Sequence, residues 1–112
     1  MRTAVVEWTL DGEEPARILA SPGEVFSSAE LWEAGPGSAR AARLAARAAA
    51  KQALRNLCPE LTFRDVELRT EPGGRPRLLP AGPALPIRIH VSLTHTRRRV
   101  AAVVVLEEHA DP

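Results

Sequence analysis

The sequence predicts an α+β protein in which one long helix packs on an antiparallel sheet. Three observations carry that expectation. The stretch from Ser38 to Leu57 is rich in alanine and arginine and has helical spacing. Ile87 to Thr94 alternates apolar and polar residues, the pattern of a half-buried strand. Val100 to Leu106 is a near-continuous apolar run, as a central strand requires.

In chain order, Thr3 to Leu10 carries the β-branched and aromatic residues of a first strand, ended by the turn pair Asp11-Gly12. Pro15 suits the first turn of a short helix through Leu19, which Ser21-Pro22-Gly23 breaks. Ser27-Ser28-Ala29-Glu30 is a capping-box pattern and opens a short helix from Ser28 to Ala34, closed by Gly35. The long helix follows, with Ser38 as N-cap and Pro59 as stop. Arg40, Arg43, Arg47, Lys51 and Arg55 recur every three or four residues and share one side. Ala42, Ala45, Ala46, Ala49 and Ala53 form the opposite side, where small residues let a helix approach a sheet closely. Phe63 to Thr70 reads as a strand, Pro72-Gly73-Gly74 as a turn, and Arg75 to Leu79 as its return. Pro80 to Pro86 is a proline-spaced loop, and Thr94 to Arg99 connects the last two strands as a hairpin.

With 112 residues the chain supports one domain with one modest core. A net charge of +1 and 4% aromatic residues give neither the basic field nor the stacking platform of a nucleic-acid binder. No apolar run approaches the roughly 18 residues of a membrane span, and no signal pattern opens the chain. The single Cys58 excludes an internal disulfide and a cysteine zinc cluster, so a cytoplasmic location is the expectation. Arginine outnumbers lysine fourteen to one, a bias that reads as a GC-rich genome such as an actinobacterium's and says nothing of function.

Four stretches together resemble the holo-acyl-carrier-protein synthase family of 4'-phosphopantetheinyl transferases. Val25-Phe26-Ser27-Ser28-Ala29-Glu30-Leu31 is similar to its F-T/S-x-x-E-L segment, and Leu44 to Ala53 to its L-A-x-R-F-A-A-K-E-A helix. Gly73-Gly74-Arg75-Pro76-Arg77-Leu78 is similar to G-G-K/R-P-x-L, and Val91-Ser92-Leu93-Thr94-His95-Thr96 to V-S-L-S-H-T. The resemblance implies a 4'-phosphopantetheinyl transferase-like fold, a homotrimer with sites at subunit interfaces, and magnesium-assisted transfer from coenzyme A to a carrier-protein serine. It places Arg47, Lys51, Arg55, Arg75, Pro76, Ser92, His95 and Thr96 in contact with the coenzyme. The chain departs from the family where its metal is held. Ala4 aligns with the first-strand aspartate, Gln52 with the helix glutamate and Asn56 with a phosphate-contacting lysine. An amide brings no negative charge to magnesium.

Three residues stand out as catalytic candidates, each beside a plainer reading. Glu7 is a carboxylate for acid-base or metal work, or a solvent-facing strand residue. Gln52 is a polar contact to a substrate, or a hydrogen-bonded amide. His95 is a general acid or base or a phosphate contact, or a turn histidine bonded to the backbone. The basic helix side is a solvated face, or a surface for an acidic carrier protein or for coenzyme phosphates. Arg97-Arg98-Arg99 is likewise a solvated hairpin tip or an anion contact.

The missing carboxylates favour a repurposed family member over a transferase. On that expectation the chain needs no cofactor or metal and acts by acid-base cyclisation or dehydration. Its substrate is a free or carrier-tethered polyketide-like intermediate in natural-product biosynthesis. The alternatives are a divergent synthase that uses coenzyme A and Mg2+, and a non-catalytic subunit that docks an acyl carrier protein through the basic helix. Gln52→Glu separates the first two readings.

Overall fold

The computed structural model describes residues 1–80 and 87–108. Of the expected loop Pro80 to Pro86, Pro80 ends a strand and residues 81–86 lie outside the described residues, as do the chain's last residues. The described elements are β1 (Arg2–Thr9), α1 (Glu13–Ala20), α2 (Ser28–Glu33), α3 (Arg40–Leu57), β2 (Val66–Thr70), β3 (Pro76–Pro80), β4 (Ile87–His95) and β5 (Arg99–Glu108). Short 3-10 turns at Pro22–Glu24 and Phe63–Asp65 link them. β1, β5 and β4 form one antiparallel sheet in that order, and β2 and β3 a separate antiparallel hairpin.

Local chemistry sets the boundaries. Ser27 and Glu30 close the capping box that starts α2: the Glu30 N–H donates to Ser27 Oγ at 3.2 Å and the Ser27 N–H to Glu30 Oε1 at 2.8 Å. Gly35 ends that helix at a φ of 70°, where a side chain would be strained. α3 begins later than its sequence suggests, since Ala39 rather than Ser38 occupies the N-cap and no side chain caps it. Phe63–Asp65, expected to be strand, is a 3-10 turn because Thr62 and Asp65 make a capping box of their own.

The alanine face of α3 lies on the three-stranded sheet. Ala45, Ala49, Ala50 and Ala53 are fully buried against Val6, Ala102, Val104 and Leu106. A smaller cluster of Ile18, Val25, Phe26, Leu44 and Ala48 packs α1 and the α2 approach on the same helix, and Trp8 touches both clusters.

Strand register decides which side chains face that helix. Val6, Ala102 and Leu93 share one row, as do Ala4, Val104 and Val91, and these rows point at α3. The alternate rows join Thr3, Val105 and His90, then Val5, Val103 and Ser92, then Glu7, Ala101 and Thr94. They form an open sheet face that no described element covers. Val5 is 56% exposed there, an apolar residue left outside.

Candidate functional site

The expected catalytic trio does not assemble within one chain. Glu7 lies on the open sheet face, in a row with Ala101 and Thr94. His95 shares a row with Val100 and Trp8 on the helix side, and borders a hollow with Ser38, Ala39 and Ala42 at the start of α3. Gln52 is ten residues further along that helix than Ala42, roughly 15 Å at 1.5 Å per residue. Its Nε2 donates to Asn56 Oδ1 at 2.9 Å, so two of the positions where the chain departs from the family hold each other. Ala4, the third, faces the apolar core opposite Val104. Within one chain, a sheet separates Glu7 from Gln52 and His95.

Lys51 also departs from expectation. It does not belong to a solvated face but is fully buried, with Nζ 2.8 Å from Glu30 Oε1, 2.8 Å from the Val25 carbonyl and 3.1 Å from the Phe63 carbonyl. Glu30, 1% exposed, also accepts from the Leu68 N–H through Oε2 at 2.7 Å. Burial pulls the Lys51 pKa below the ordinary lysine value, and the hydrogen bond and charge of Glu30 push it back up. The pair ties α2, α3, β2 and the turn before β2 together. As a coenzyme contact Lys51 is excluded by its burial.

The other helix cations are largely engaged as well. Arg40 donates to the carbonyls of Leu31 and Gly35, and Arg43 to those of Ala34 and Pro36. Arg55 donates to the Leu61 carbonyl, and its guanidinium sits 4.5 Å from the centre of the Phe63 ring. Arg47 is half-buried, makes two long hydrogen bonds to the Arg43 carbonyl and Thr70 Oγ1, and leaves Nε without a partner. Burial lowers its pKa. Arg40 and Arg43 grip the chain that leads into α3 and Arg55 the chain that leaves it, so this side is not a free docking face.

Of the remaining candidates, Arg75 is exposed in the β2–β3 turn and Pro76 opens β3 opposite Thr70. Ser92 is exposed on the open sheet face beside Val103, and Thr96 stands at the β4–β5 tip. The hollow that gathers chemistry is on the open side. About 330 Å³ in volume, it is lined by Glu7, Trp8, Thr9, Thr94, Thr96, Arg99, Val100 and Ala101. Its lining residues include one glutamate, three threonines and one arginine. Sequence reasoning missed Thr9 and Thr94, and named Arg99 only as a hairpin-tip anion contact, because only the strand register brings them beside Glu7.

Magnesium takes oxygen donors, and needs only one or two carboxylates when a substrate supplies phosphates. Among the described residues no three His, Cys, Asp or Glu side chains converge into a cage. Glu7, Thr9 and Thr94 line one hollow and carry hard oxygen donors of the kind that the ion takes in this shared manner.

No family model matches the sequence. Curated relatives do. A holo-acyl-carrier-protein synthase of Mycolicibacterium smegmatis is 37% identical, with 86% of this chain and 84% of the relative aligned. One from Mycobacterium tuberculosis is 38% identical, over 85% of this chain and 83% of its own. The chain belongs to the holo-acyl-carrier-protein synthase family. The fold agrees: a crystal structure of the Bacillus anthracis synthase in complex with coenzyme A (3',5'-ADP) superposes with a TM-score of 0.81 at 25% identity, covering 96% of both chains.

Family membership at this identity overturns the reading of a repurposed cyclase or dehydratase, and the polyketide-like substrate inferred with it. The relatives are named for carrier-protein modification. The expectation that no cofactor is needed is corrected too, because the Bacillus synthase is seen with the coenzyme. Among the described residues, no helix is long and apolar enough to cross a membrane.

Proposed function

We propose that the chain is a holo-acyl-carrier-protein synthase, which transfers phosphopantetheine from coenzyme A to a serine of an acyl carrier protein. The observation that carries this reading is identity of 37% to a synthase over most of both chains. The serine oxygen bonds to the phosphorus that bears the pantetheine arm, the pyrophosphate bond breaks, 3',5'-ADP leaves and the hydroxyl proton is released. Magnesium, when bound, neutralises charge on the pyrophosphate. Glu7, Thr9 and Thr94 would hold it, and Arg99 lines the same hollow to meet phosphate oxygens.

The proposed assembly is a homotrimer. Its support is the uncovered sheet face, on which Val5, Ala101, Val103 and Val105 leave apolar surface open. It would also reconcile the separated candidates, since a pocket shared between copies lets Glu7 and Ser92 of one face and His95, Arg75 and Pro76 of another reach one coenzyme. The cytoplasm, where coenzyme and carrier protein meet, suits a chain with one buried thiol.

Incubation of the purified protein with coenzyme A, Mg2+ and apo-acyl carrier proteins, read by intact mass spectrometry, tests the reaction. The expected result is a phosphopantetheine mass gain that chelation abolishes. No gain on any carrier, beside a working control synthase, would defeat the reading.

A further inference from the structure

We propose that the β4–β5 tip is a docking element for an acidic protein surface, with Arg97 and Arg98 as its contact residues. Identifying that surface with the acyl carrier protein rests on the transfer reaction proposed above.

The tip has a fixed backbone and free cations. Thr96 N–H donates to the Arg99 carbonyl at 2.8 Å, and Leu10 N–H donates to the Arg98 carbonyl at 2.7 Å, which fastens the turn to the end of β1. The N–H groups of Arg98 and Arg99 both lean on Thr96 Oγ1, at 3.4 and 3.2 Å. Arg97, Arg98 and Arg99 are exposed, and none of their guanidinium groups has a hydrogen-bond or ion-pair partner among the described residues. Asp11 lines the same hollow as all three without pairing to them.

The shape of the cluster selects its partner. Arg97 borders the hollow at the start of α3, on the helix side of the sheet, while Arg99 borders the Glu7 hollow. All three arginines line the hollow at the tip, and Arg97 and Arg99 also border hollows on either side of it, so together they span more than one phosphate and match carboxylates spread along a protein surface. A nucleic acid is disfavoured, because a net charge of +1 gives no wider basic field beyond the tip. The tip also stands beside the proposed reaction hollow, so a carrier docked there would bring its serine towards Glu7 and Arg99. The side of α3 that sequence alone offered for this role is occupied by the protein's own carbonyls.

The test is fluorescence anisotropy with labelled apo-acyl carrier protein, independent of turnover. It compares the wild-type chain, Arg97→Glu/Arg98→Glu and the charge-conserving Arg97→Lys/Arg98→Lys; Arg99 is kept because it lines the reaction hollow. Charge reversal is expected to weaken carrier binding about tenfold or more, with the lysine pair within about threefold of wild type and binding weaker at high salt. Coenzyme A affinity, measured in parallel, is expected to fall by less than carrier affinity does. Equal carrier binding by the reversed variant, or no carrier binding by the wild type, would overturn the proposal. A loss for coenzyme A that equals or exceeds the loss for carrier would overturn it too, and would assign the tip to phosphates. A wild type that binds carrier through the tip yet transfers nothing would sink the reaction and leave the docking element standing.

Discussion

On the helix side of the sheet, Arg40, Arg43, Lys51 and Arg55 all donate to the protein's own carbonyl or carboxylate oxygens. On the open side and at its tip, Glu7, Arg97, Arg98 and Arg99 are exposed and make no such bonds among the described residues. Cations thus do opposite work in one small protein. The first set holds α2 and the chain before α3 against the core. The second set is left for a ligand, a second copy or a partner. The departures from the family's metal pattern tell the same story, since Gln52 and Asn56 close on each other while the open face keeps a carboxylate.

The contrast breaks most visibly at Lys51. Lys51→Met leaves Glu30 buried without its cation, and loss of one partner of a buried pair costs about 3–5 kcal/mol. Urea unfolding should show that loss, and Lys51→Met/Glu30→Leu should recover part of it, because an apolar pair carries no stranded charge. A single variant within about 1 kcal/mol of wild type would mean the pair is not what ties these elements together. On the open side, Val103→Glu puts a charge at the centre of the uncovered sheet face. Association should weaken about a hundredfold, or about 2.8 kcal/mol, which light scattering would read as monomer in place of trimer. A wild type that is already monomeric would contradict that use of the face.

Much of the fold was legible because it is written in short-range patterns. The alternation of Ile89, Val91 and Leu93 and the apolar run of Val100 to Leu106 correspond to β4 and β5, and Ser27 with Glu30 to the start of α2. The Thr62–Asp65 capping box has the same three-residue spacing and was available as a signal, but the alternation of Phe63 to Thr70 masked it. Lys51 was misread for a physical reason. Helical spacing groups it with Arg47 and Arg55, yet its partner Glu30 lies 21 positions away, so only the tertiary fold reveals it. The one hint is chemical, the single lysine among fourteen arginines. The site was less legible still, because strand parity fixes which residues share a face only once register is known. That is why Glu7 and His95 read as partners in sequence and stand on opposite sides of a sheet.

The proposed transfer reaction places Glu7 of the open face at its centre. The most direct measurement is the rate of phosphopantetheine transfer by the wild type and Glu7→Gln across a magnesium titration, with thermal unfolding followed on both proteins. Glu7 is exposed, so the expected result is an unchanged melting temperature, a transfer rate lower by roughly tenfold or more, and a magnesium midpoint shifted upward. A Glu7→Gln protein that transfers at the wild-type rate with the wild-type magnesium midpoint would contradict the account.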